Sequence, residues 1–188
     1  MTTLESTDID QARQYFDRSR GRVVEVTTAL SAAQWRFKPA SDRWSIAEIL
    51  EHMVIVHERV IGRVREQLLQ APAPPADRDC HKLDAVVLEK IPDRSIKAKA
   101  PDYIQPTGLL TLPDALDRLF RNYERLTLLV ESTPGLREHV LEAPPLRVVT
   151  NGAYDSRDGY QWALTAAAHD QRHVAQILEV KGDPNYPV

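Results

Sequence analysis

One cysteine, Cys80, stands in 188 residues. An internal disulfide and a multi-cysteine metal knuckle are excluded together. No apolar run approaches the ~18 residues that carry a helix across a bilayer. Basic excess is missing too: the formal net charge is -3, and Lys and Arg are spread along the chain without forming a block. That argues against a nucleic-acid partner, which normally selects a basic face, and against a membrane partner. The glycines number 7 and are scattered, so no phosphate-cradling loop is present, and no G-x-S-x-G elbow marks a serine nucleophile. Met1 to Asp10 is polar and acidic, unlike a secretory leader, so the expected address is the cytoplasm.

What the chain does have is helical periodicity. Phe16, Val23, Val26 and Leu30 set a stripe on a first helix over roughly Asp8 to Leu30. Ser31 suits the cap of a short turn ahead of Pro39. Ser45 and Glu48 form an S-x-x-E capping box opening a second helix that runs to about Gln70, before Pro72, Pro74 and Pro75. Residues 71–110 form a long connection with a short helix expected over Leu83 to Lys90. A third main helix spans Leu112 to Ser132 with Pro113 in its first turn. Residues 133–157 read as irregular, with Leu146 to Val149 too short to assign as a strand. The last helix covers about Asp158 to Val180 and stops at Gly182 and Pro184. Four long amphipathic helices predict an all-α four-helix bundle with long irregular connections, a single domain over residues 1–188.

Histidine supplies the chemistry. His169 and His173 are four apart on the inward stripe of the last helix, with Trp162, Ala166, Ile177 and Val180, and so share a face one turn apart. His52 edges the stripe of the second helix. Three imidazoles with an open fourth position are the catalytic form of a zinc site, whereas two hydrogen-bonded histidines at a bundle interface explain the H-x-x-x-H pair alone. His57 lies about 140° round its helix from His52 and is expected at the surface or a boundary. His81 and His139 fit no pattern. Glu51 and Asp170 sit one position from a candidate ligand, about 100° off the ion. Glu48 is one turn before His52 but is accounted for by its capping role. Arg172 could hold an anionic substrate, but most such arginines are solvated or pair with a nearby acid. Trp35 and Trp44 read as packing residues, and nothing marks Cys80 as a nucleophile.

Three stretches, whose order and spacing cover nearly the whole chain, stand out: Leu30 to Pro39, Asp42 to His52 and His169 to Ile177, with Pro106 to Gly108 between. In these the chain resembles the DinB-like superfamily of four-helix-bundle metalloenzymes. The resemblance implies a metal on His52, His169 and His173, with no departure from the family pattern at any of the three. It implies one divalent ion, zinc or nickel, since imidazole suits several metals. It implies a metal-dependent enzyme with a small-molecule substrate. Family members include transferases of low-molecular-weight thiols and hydrolases, and a metal-binding or small-molecule-binding module without turnover is the third alternative. A homodimer is left open alongside a monomer. No further cofactor is implied, and the catalytic acid or base is left unassigned.

Overall fold

The computed structural model describes residues 4–95 and 100–188. Of the proline-punctuated connection, residues 96–99 lie outside that range. Among the described residues seven α-helices run in the order α1 (Ser6–Thr27), α2 (Ala32–Arg36), α3 (Ile46–Gln67), α4 (Cys80–Lys90), α5 (Leu112–Ser132), α6 (Pro144–Val149) and α7 (Gly159–Lys181). Two short strands, β1 (Val140–Glu142) and β2 (Ser156–Asp158), pair antiparallel, with Leu141 opposite Arg157. The fold is all-α in substance.

Capping decides where the long helices begin. Ser45 and Glu48 close the expected box at α3: Glu48 N–H donates to Ser45 Oγ, and Ser45 N–H donates to Glu48 Oε2 at 2.8 Å. Glu48 also accepts from Lys38 Nζ at 2.9 Å. Thr111 caps α5, with Pro113 in the first turn, and α5 ends at Ser132 as its sequence predicts. Ser31 and Gln34 form a further box, and the short turn expected there is α2. The helix in the long connection starts at Cys80, earlier than its apolar residues suggest, because Asp79 supplies the cap.

The stretch from 133 to 157 differs from the sequence reading. Leu146 to Val149 lies in α6, which Pro144 and Pro145 open with the backbone angle a first helical turn needs. The flanking strands are three residues each, too short for an alternation to show.

α1, α3, α5 and α7 form the bundle. α3 packs on α5 and α7, and α1 packs on the same two from the other side. α7 is the central element: every residue from Gly159 to Ala168 is buried. Ala166, Ala167 and Ala168 keep its girth small enough for neighbours on several sides, and Ser19 of α1 donates to the Ala167 carbonyl at 2.9 Å. No helix among the described residues is long and apolar enough to cross a membrane.

A buried charge cluster ties the far end together. Arg137, 1% exposed in its side chain, binds Asp84 through both Nη atoms (2.7 and 3.0 Å), Asp158 (3.1 Å) and Asp8 (3.3 Å). One guanidinium thus joins α1, α4 and the cap of α7. Burial pushes the Asp158 carboxyl up to about 6, against the lowering effect of Arg137. Breaking such a cluster from its cationic side leaves carboxylates buried without a counter-charge. Arg137→Met is therefore expected to cost about 3–5 kcal/mol in urea unfolding. A loss under about 1 kcal/mol, the scale of an exposed ion pair, would contradict this account.

Candidate metal centre

His52 lies in the second turn of α3, and His169 and His173 lie in the middle of α7. Packing of α3 on α7 brings the three rings together. His52 Nε2 is 3.3 Å from His169 Nε2, and His173 Nε2 is 3.0 Å from His169 Nε2. The ring centroids lie 4.3–5.0 Å apart. His52 and His173 are buried, and His169 is partly so.

On two of the rings the far side sets which nitrogen carries the proton, whereas His169 Nδ1 is buried without a partner among the described residues. His52 Nδ1 lies 2.8 Å from the Ile104 carbonyl. A carbonyl only accepts, so Nδ1 bears the hydrogen and Nε2 offers a lone pair. His173 Nδ1 meets Gln176 Oε1 at 2.9 Å, with the same consequence. Two lone pairs then point at His169 Nε2, which has at most one proton to give. Hydrogen bonding among the rings cannot satisfy all three. A cation can, and the spacing suits one. Nitrogens bound to a single zinc at about 2.0–2.1 Å in tetrahedral directions lie about 3.3 Å apart. The group could hold a metal ion.

Burial, first among the causes, pushes the pKa of all three histidines down, and for His169 and His173 the neighbouring rings add to the effect. The neutral, ligating form is therefore favoured. Trp44 closes one side, its indole centroid 4.8 Å from that of His52 and 6.3 Å from that of His173. It is part of the site wall, beyond the packing role that sequence assigns it.

The carboxylates are engaged elsewhere. Glu51 accepts from Thr107 Oγ1 and from the backbone N–H of Gly108, both at 2.6 Å. Gly108 adopts φ +73°, a conformation suited to glycine, so the loop can turn onto Glu51. This tether holds the Ile104 segment over His52. Glu48 serves its cap and Lys38, so it does not orient His52.

Asp170 turns away from the rings into the core, where it accepts from Tyr123 Oη at 2.5 Å and contacts His57 Nε2 at 2.7 Å. His57 is fully buried, contrary to the surface or boundary position expected of it. Its side of α3 faces α5 and α7 and meets a carboxylate there. His57 stays apart from His52, as its spacing requires. Arg172 donates to the Asp93 carbonyl and fastens that loop beside α7. Burial pushes the Cys80 thiol up, away from a reactive thiolate.

A model of the DinB superfamily matches residues 15–177, which include all three histidines. The chain belongs to the DinB superfamily. Among curated proteins it is 26% identical over 167 residues to an uncharacterized protein, YuaE, of Bacillus subtilis (strain 168). That alignment covers 88% of this chain and 94% of YuaE. No solved structure gives a significant match. Two features of this superfamily member left no mark in its sequence. A backbone carbonyl, Ile104, orients His52, and carbonyls have no residue signature. The Glu51 tether depends on a loop 56 residues away.

The depressed histidines give a signed pH dependence to the metal-free protein. The folded chain binds fewer protons than the unfolded chain, whose imidazoles titrate near pH 6.5. Stability is fully present above that value and is lost as pH falls through it towards the folded pKa values. Asp158, raised to about 6, acts in the opposite sense, so the informative comparison is with a variant. In chelator-treated protein, the Tm of His169→Gln is expected to fall less than that of the parent between about pH 7.5 and 5.5. Parallel losses in the two proteins would contradict the assignment.

Proposed function

We propose that this chain is a metal-dependent enzyme in which His52, His169 and His173 hold one divalent ion, zinc or nickel, and a low-molecular-weight thiol is transferred to a small electrophile. The observation that carries the reading is the convergence of three Nε2 atoms within 3.0–3.3 Å steps, two of them fixed as lone-pair donors by Ile104 and Gln176. A divalent ion there would supply Lewis acidity, lowering the pKa of a thiol or water at the position left open.

The residues of the chain then have separate tasks. Three neutral imidazoles add no negative charge, so the site keeps its full attraction for one anionic ligand. Among the described residues no fourth ligand joins the histidine group, which leaves that place to substrate. Trp44 supplies an aromatic wall next to His52 and His173. The loop pinned by Glu51 keeps His52 in the ligating tautomer.

The choice of thiol transfer over hydrolysis rests mainly on the resemblance to family members that transfer thiols, and the carboxylates weigh slightly the same way. Hydrolysis asks for a general base within reach of the attacking water. Glu51 and Asp170, the nearest acids by sequence, are each held by two hydrogen-bond partners away from the rings. Either ligand could lose its proton to solvent once the ion lowers its pKa, but a thiol starts at about 8.5 and water at about 15.7, so the thiol leans less on a nearby base.

The test uses zinc- or nickel-loaded protein, monochlorobimane and a panel of small thiols. Thiol-dependent turnover is expected. It should fall more than about 100-fold in His173→Ala, beyond the 10–100-fold typical of losing a group that merely orients a ligand. Metal-dependent ester or amide hydrolysis without thiol would establish the hydrolase instead. Absence of turnover with either set would leave a metal-binding module and overturn the proposal.

A further inference from the structure

Arg157 presents a second anomaly, away from the histidines. It lies in β2, is 2% exposed, and has no ion pair among the described residues. Its Nε and Nη2 are both buried without a hydrogen-bond acceptor. Those two nitrogens form one edge of the guanidinium, and that edge takes an oxyanion through two parallel hydrogen bonds. Elsewhere the protein uses it in this way. Arg94 binds Glu179 through Nε and Nη2, each at 2.8 Å, and Arg118 binds Glu58 through the same edge at 3.3 and 2.8 Å. Arg157 offers the edge and meets no carboxylate.

Its neighbours sharpen the mismatch. The Arg157 guanidinium lies 5.1 Å from the ring centroid of Trp162, and Arg63 of α3 lies 4.8 Å from that same indole. Stacking on an aromatic ring engages the flat face of a guanidinium and leaves its in-plane N–H groups unserved. Trp162 Nε1 is itself buried without an acceptor. Two guanidiniums and an indole N–H from three elements therefore meet at Trp162, and among the described residues neither guanidinium is paired with a carboxylate. Burial, and then the charge of Arg63, pushes the Arg157 pKa down to about 9, so at neutral pH the side chain is still charged. A buried cation without a counter-ion is unfavourable.

We propose that Arg157, Arg63 and Trp162 form a binding site for a small oxyanion, a carboxylate or a phosphate group, held on the Nε–Nη2 edge of Arg157. The site is separate from the metal centre. Arg63 follows His52 by eleven positions along α3, about 16 Å, and Trp162 precedes His169 by seven along α7, about 10 Å. Arg63, only partly buried, is the side of the site that an incoming anion meets.

The experiment compares the full chain with Arg157→Met in a low-salt, oxyanion-free buffer. Inorganic phosphate, acetate or chloride is then added at matched ionic strength, and Tm is read. Without oxyanion, Arg157→Met should be at least as stable as the parent, because a charge lacking a partner has been removed. Phosphate or acetate should raise the parent Tm by several degrees over chloride, with no such rise in Arg157→Met. A rise with phosphate only identifies a phosphoryl ligand, and with acetate only a carboxylate. No rise with either, or an equal rise in the variant, would overturn the proposal. Should Arg157→Met fail to fold, the indole N–H resonance of Trp162, assigned with Trp162→Phe, gives the same decision. It should shift on addition of oxyanion in the parent and shift less in Arg63→Gln. An unmoved resonance would overturn the site.

Discussion

Three imidazole nitrogens set 3.0 and 3.3 Å apart at the contact of α3 with α7 are the constraint on which the rest of the structure depends. Lone pairs aimed at one another are unfavourable unless something positive lies between them. Holding them there takes a rigid frame, and α7 provides it. Its first ten residues are buried on all sides, and its alanines let the neighbouring helices close in. The connections that make this bundle untidy have work to do in the same frame. Ile104 reaches His52 because Glu51 grips Thr107 and Gly108, so the short 3-10 turn Asp102–Ile104 is fastened to the helix whose histidine it orients.

The buried charges divide into three kinds. Arg137 is over-supplied with carboxylates and serves as a joint between α1, α4 and the start of α7. Asp170 is shared by His57 and Tyr123, which closes the core behind the histidines and keeps a carboxylate away from the three rings. Arg157 has neither a carboxylate nor another acceptor for its paired edge. The first two arrangements find charged or polar partners within the fold, with Arg137 Nε, Asp170 Oδ1 and His57 Nδ1 left over as buried atoms without one among the described residues. The third has no counter-charge among the described residues, and that difference is what the proposed anion site rests on.

Much of the frame was legible in the sequence because it is local. The Ser45–Glu48 box, the proline in the first turn of α5 and the apolar stripes fix where helices start and which faces turn inward. Four positions between His169 and His173 give a shared face whatever the rest of the chain does. The grouping with His52 was legible through the resemblance to the DinB-like superfamily, whereas helix spacing alone placed His52 only at the edge of the α3 stripe. What stayed hidden depends on partners remote in sequence. His57 looked peripheral because its angle from His52 is known from spacing, whereas the Asp170 that it meets is not. The strands were hidden by their length. Arg157 gave no signal, since the missing partner of a buried arginine shows only when its surroundings are built.

The central claim is that one ion is shared by three imidazoles, and X-ray absorption on zinc-loaded protein tests it most directly. The account predicts one zinc per chain, with imidazole scattering from three histidines at about 2.0–2.1 Å and one lighter ligand completing four-coordination. A spectrum fitted by two or fewer imidazoles, or by carboxylate oxygens in their place, would contradict it.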